Sequence, residues 1–147
     1  MAEALMVRRE VQIAAPPATV FAFLTNREKI LRWMGTEANI EPHPGGIYLL
    51  NVTGKDIARG EFTEVIPVHR LAYSFGWEGN DTVPPGSSLI EIDLLDKEGG
   101  TLLRMTHSGL PDAKECANHE KGWTHYLGRL EVAAAGGDPG PDRPRDM

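Results

Sequence analysis

Four side chains in this sequence are of types that do chemistry and could meet: Cys116, His119, Glu120 and His107. Cys116 and His119 stand at i, i+3, a spacing that puts both on one helix face, so thiol and imidazole can approach. A nucleophilic dyad also needs an activated thiolate and a third group to orient the base, and Glu120 or His107 could orient it. No residue supplies an evident oxyanion hole. The same four side chains are acceptable metal ligands, yet they form no recognisable spacing motif, so no metal and no cofactor is expected. Acid–base work on a bound molecule is the stronger chemistry, with Glu120, His119 and His107 moving protons and Tyr48 and Tyr73 donating hydrogen bonds. The plainer reading stands beside it and is preferred: these groups only orient a ligand in an apolar pocket.

Three of the four lie on one long helix. Cys116, His119, Trp123, Leu127, Leu130 and Ala134 fall on one stripe of a 3.6-residue wheel, with Tyr126 at its border. The upper part of that stripe is polar where a plain core helix carries aliphatics, which suggests a lined cavity. Asp112 is a fair N-cap with Glu115 three residues on, and Gly136-Gly137 ends the helix near residue 135. Gly122 and Gly128 each cost it about 1 kcal/mol relative to Ala. Close backbone approach or a local bend would explain them.

The partner of that helix is a sheet. Residues 5–14 alternate, with Val7, Arg9, Val11 and Ile13 on one face of a first strand. Ala15-Pro16-Pro17 opens a short helix, Thr25 to Glu28 fits a capping box for a second, and Gly35 closes it. From about 37 to 108 the pattern is antiparallel: strands near 37–41, 47–52, 59–66, 69–77, 88–95 and 101–107, with turn residues between. Leu71, Tyr73, Phe75 and Trp77 share one face of a strand whose other face carries Ala72, Ser74 and Gly76, as in a strongly curved, half-buried sheet. Leu103, Met105 and His107 share a face in the last strand. Residues 78–87 read as a longer, mobile loop.

Bulk properties narrow the class. At 147 residues, 41% hydrophobic, the chain is one domain able to bury a core, residues 1–135, followed by a disordered tail, 136–147, of Gly, Pro and charge. The net charge of −6 argues against a basic nucleic-acid surface. No apolar run approaches the roughly 18–20 residues of a membrane helix, and the N-terminus lacks a secretory pattern. The single cysteine rules out an internal disulfide and fits a reducing cytoplasm.

The ordered pieces Ile13-Ala-Ala-Pro-Pro-Ala-Thr-Val-Phe-Ala-Phe-Leu-Thr25, Trp33, Glu41-Pro-His-Pro-Gly-Gly-Ile-Tyr48, Gly60 to Pro67 with Arg70-Leu71, Thr101 to His107, and Gly122-Trp123 with Leu127 and Leu130 together resemble the START-like (Bet v 1-like, polyketide cyclase) superfamily. Within it they are similar to the branch named for the homologue of the activator of the 90-kDa heat-shock-protein ATPase. The resemblance covers roughly residues 6–133 and implies an α+β helix-grip fold: a curved antiparallel sheet around a long C-terminal helix, with two short helices after the first strand. It also implies a cavity between sheet and helix that takes an apolar small molecule. The expected lining is Trp33, Tyr48, Tyr73, Phe75, Trp77, Met105, His107, Cys116, His119, Glu120 and Trp123. The expected function is binding of an apolar or amphipathic small molecule, with no firm catalysis. The alternatives are a small cyclase, dehydratase or hydrolase using the cavity Glu or His, and a modulator of a chaperone ATPase. Nucleic acid and membrane are not expected partners, and a homodimer is left open.

Overall fold

The computed structural model describes residues 5–141. The alternation of the first segment becomes strand β1 (Met6–Ile13), whose Val7 and Ile13 are buried. Helix α1 (Pro17–Thr25) follows, with Pro17 in its first turn, where a missing N–H costs nothing. It buries Val20, Phe23 and Leu24. Helix α2 (Arg27–Ile30) is a single turn. Its cap is Asn26, whose side chain accepts from the Lys29 N–H at 3.1 Å. The Thr25–Glu28 capping box is therefore displaced by one residue: the Thr25 hydroxyl donates back to the Phe21 carbonyl instead.

Six strands come next: β2 (Glu37–Ile40), β3 (Ile47–Asn51), β4 (Ile57–Ile66), β5 (Arg70–Phe75), β6 (Ser88–Lys97) and β7 (Gly100–Ser108). With β1 they form one seven-stranded sheet in the order β1-β7-β6-β5-β4-β3-β2, every neighbouring pair antiparallel. The order makes β1 and β2 the two edges. Helix α3 (Ala113–Ala134) lies on the inner face, capped by Asp112, which accepts the Glu115 N–H at 2.9 Å. This is the α+β helix-grip architecture. No helix among the described residues is long and apolar enough to cross a membrane.

The grip is strongest over the C-terminal half of α3. Trp123, Tyr126, Leu127, Leu130, Ala133 and Ala134 are buried there. Tyr126, expected at the border of the stripe, is fully inside it. Burying each large side chain removes apolar area worth about 1.5–3 kcal/mol. Arg129 adds a polar clip: Nε donates to the Trp33 carbonyl at 2.9 Å, and its Nη atoms donate to the carbonyls of Pro139 and Gly140. Part of the expected tail thus folds back along the helix, and residues 142–147 lie outside the described residues.

Two close approaches shape the mouth end of the sheet. A Cβ on Gly60 would overlap the Ser74 carbonyl oxygen, and one on Gly76 the Pro84 carbonyl oxygen. The β4–β5 register shifts between Phe62 and Glu64, the irregularity that lets a sheet bend. The segment after β5 is pinned rather than loose. Trp77 N–H donates to the Val83 carbonyl, the Asn80 side chain accepts from the Thr82 and Val83 N–H groups, and Val83 is buried.

Gly128 is different. It is exposed, and an added Cβ would meet nothing within 4 Å among the described residues, so close approach does not explain it. The two glycines should answer oppositely to alanine in thermal unfolding. Gly128→Ala is expected to stabilise by about 1 kcal/mol through helix propensity. Gly60→Ala is expected to destabilise by about 3 kcal/mol or more, because backbone must move.

Candidate functional site

Between the inner face of β3–β5 and the first half of α3 lies a cavity of about 370 Å³. Its walls are Met34, Leu50, Val52 and Ala58 with the rings of Tyr48, Phe75, Trp77, Trp123 and Tyr126. Asp56, at the start of β4, and Glu78, just past β5, border it from the sheet side. Glu115, Asn118, His119 and Gly122 border it from α3. Asp56 and Glu78 are exposed, so they mark the side open to water.

Two tryptophan–histidine pairs tie helix to sheet at its edge. Deeper in, the Trp123 indole N–H donates to His107 Nδ1 at 3.1 Å. His107 Nε2 lies 2.8 Å from Ser88 Oγ, and that hydroxyl already donates to the Phe75 carbonyl at 2.8 Å. Only one tautomer satisfies all three contacts. Nδ1 is bare, Nε2 carries the proton and gives it to Ser88. Burial, and then the neighbouring His119, push the His107 pKa down to about 3. Nearer the mouth, the Trp77 indole donates to His119 Nε2 at 3.0 Å, and His119 Nδ1 donates to the Glu115 carbonyl at 2.8 Å. Phe75 packs edge-on against Trp77 and His107, which makes Phe75, the two indoles and the two imidazoles one continuous cluster.

Under the cavity, Tyr48 and Tyr73 stack with centroids 4.1 Å apart and share a hydroxyl hydrogen bond. Burial raises the Tyr48 pKa to about 12, outweighing the opposing hydrogen bond from Tyr73. Burial also raises Tyr73 well above its ordinary value. Both phenols stay protonated and can serve as donors, not as bases.

The family model described as activator of Hsp90 ATPase homolog 1-like protein matches residues 14–135. The chain belongs to this family. Among solved structures, an AHSA1-like protein from Rhizobium etli is 65% identical over 100% of this chain and 96% of its own, with a TM-score of 0.76. The Aha1 dimer from Colwellia psychrerythraea is 19% identical, covers 90% of this chain and 97% of its own, and has a TM-score of 0.79. An HSP90 activator from Plasmodium falciparum is 21% identical, covering 87% and 94%, with a TM-score of 0.71. The last two likenesses are of fold. No curated protein matches the chain significantly.

In this AHSA1-family chain the residues singled out from sequence divide sharply. Tyr48, Phe75, Trp77, His119 and Trp123 line the cavity. Trp33 and Tyr73 instead wall a separate void of about 10 Å³, room for no more than a water. Met105 and His107 are core, and Cys116 packs against the core beside the cavity rather than on its wall. Glu120 is exposed and faces Arg9 of β1 at 3.7 Å, outside the cavity.

The chemistry changes accordingly. The Cys116 thiol pKa is raised, by burial first and then by Asp112, Glu115 and Glu120, which is the reverse of activation. His119 has both ring nitrogens engaged, so it offers neither a base to that thiol nor a free proton site. Among the described residues no three His, Cys, Asp or Glu side chains group as a metal site would. Sequence reasoning missed Asp56, Glu78, Asn80, Asn118 and Glu115 as lining. The first three sit in turns, where no period signals a face, and Glu115 was read only as a capping partner.

The His107 arrangement has a pH signature. The unfolded imidazole, near 6.5, takes up a proton that the folded one refuses until about pH 3. Stability contributed by this group is therefore present above about pH 6.5 and lost as pH falls through that window, by up to about 1.4 kcal/mol per unit. Urea unfolding at stepped pH should show this slope, and His107→Gln should flatten it relative to the unsubstituted chain.

Proposed function

We propose that this chain binds an apolar or amphipathic small molecule in the cavity between sheet and α3, without chemically changing it. The observation that carries this reading is the cavity itself, about 370 Å³ and walled by five aromatic rings. That volume falls within the range of ordinary ligand pockets, and apolar walls with a few polar groups at one side are their usual chemistry. An aromatic wall supplies large apolar area at little entropic cost, because rings have few rotamers to lose. A cytoplasmic setting suits the free thiol of Cys116.

The acid–base alternative draws less support. Of Glu120, His119 and His107, His119 is the one beside the cavity, and both of its nitrogens are occupied. The chaperone-directed alternative rests on the family's description and on likenesses of fold.

Gently purified protein examined by native mass spectrometry is expected to carry a co-purifying small molecule. Gly122→Leu is the companion test, since Gly122 lines the cavity from α3. A leucine there fills the space while raising helix propensity by about 1 kcal/mol. Loss of the bound species with unchanged or higher thermal stability is the expected outcome. An unsubstituted chain that is always empty, and that takes up no hydrophobic probe, would overturn the proposal.

A further inference from the structure

We infer that the occupant this cavity selects is an organic cation: an amine head on an apolar, ring-sized body. The inference rests on the binding reading above and adds the charge class of the ligand. Its first ground is the polar lining. Asp56, Glu78 and Glu115 border the cavity, and among the described residues no Lys or Arg does. A neutral or anionic ligand would leave that asymmetry without a use.

The charges are not equally free. Glu78 is offset by Arg59, whose Nη1 lies 2.7 Å from its carboxylate. Asp56 accepts from the neutral Thr53 hydroxyl at 2.8 Å, which leaves its charge intact. The Glu115 carboxylate lies 3.6 Å from His119 Nδ1, but that imidazole carries no proton on Nε2 while Nε2 accepts from Trp77. The amino end of α3 opposes the inference, because it presents the equivalent of about half a positive charge. Two uncompensated carboxylates outweigh it, and Asp112 at the N-cap reduces it further.

The second ground is the wall material. Trp77 and Trp123 face the same space, and indole is the ring that best stabilises a neighbouring cation. Cation and body would then be held by one continuous surface: carboxylates from the turn before β4 and from α3 at the wet side, indoles behind them. The chain's net charge of −6 would also concentrate cations near the mouth.

The test uses three ligands with one body: 2-(2-naphthyl)ethylamine, 2-(2-naphthyl)ethanol and 2-naphthylacetate, titrated into the whole chain by calorimetry. The amine is expected to bind about tenfold more tightly than the alcohol, and the carboxylate most weakly. The gap should shrink as salt rises, because the mouth is open to solvent. Asp56→Asn combined with Glu115→Gln should bring the amine-to-alcohol ratio close to one. If that variant does not fold, the salt series on the unsubstituted chain still decides the matter. An alcohol or carboxylate that binds as tightly as the amine overturns the charge preference and leaves cavity binding standing. Failure of all three to bind overturns both.

Discussion

A buried imidazole must have both ring nitrogens answered from within, and in this fold only one arrangement does so for His107. The indole of α3 gives a proton to Nδ1, Nε2 gives one to Ser88 of β6, and Ser88 gives one to the Phe75 carbonyl of β5. Hydrophobic burial holds the helix against the sheet but has no direction. This chain of hydrogen bonds has direction, and in a buried interior each unmade link would be costly. It therefore fixes the rotation of α3 about its own axis. Once Trp123 is fixed, His119 and Gly122 must point to the cavity, and Trp77 of the sheet can reach His119 to make a second, parallel tie.

The outer face of the sheet is organised by charge instead. Cross-strand register places Glu10 beside Arg104, Arg104 beside Asp93, and Asp93 beside Arg70. Arg104 meets Glu10 at 2.7 Å, and Arg70 reaches Glu64, Glu91 and Asp93, which raise its pKa above the ordinary value. Exposed pairs contribute little singly. As an alternating row across four strands they penalise a slip by one residue, which would set this face against the helix.

Much of the fold was legible because it depends on period. Tyr73, Phe75 and Trp77 alternate with Ala72, Ser74 and Gly76, and the structure buries Tyr73 and Phe75, leaves Trp77 half-buried, and sets Gly76 where the Pro84 carbonyl approaches. The resemblance to the activator-homologue branch rested on the same ordered residues, and the family match agrees with it. The cavity wall was only half legible. Glu120 was grouped with Cys116 and His119 on the polar upper part of the helix stripe, yet one step along a helix is a turn of about 100°. The carboxylate that borders the cavity with His119 is Glu115, four positions back. Asp56 and Glu78 both border the mouth because β4 keeps pairing past the end of β5, in a bridge of Ala58 with Trp77, and no local pattern announces a register.

Helix α3 carries its two tasks at different ends. From Leu127 to Ala134 it is held by burial and by the Arg129 clip; Glu115, Asn118, His119 and Gly122 line open space, and Trp123 and Tyr126 between them do both. Substitutions in the first segment would disturb folding, whereas those in the second alter mainly what the cavity meets. On the binding reading proposed above, a lineage carrying this helix could exchange one ligand for another over evolutionary time without rebuilding its core, and sequence divergence along the first half of α3 would record changing chemistry rather than lost structure.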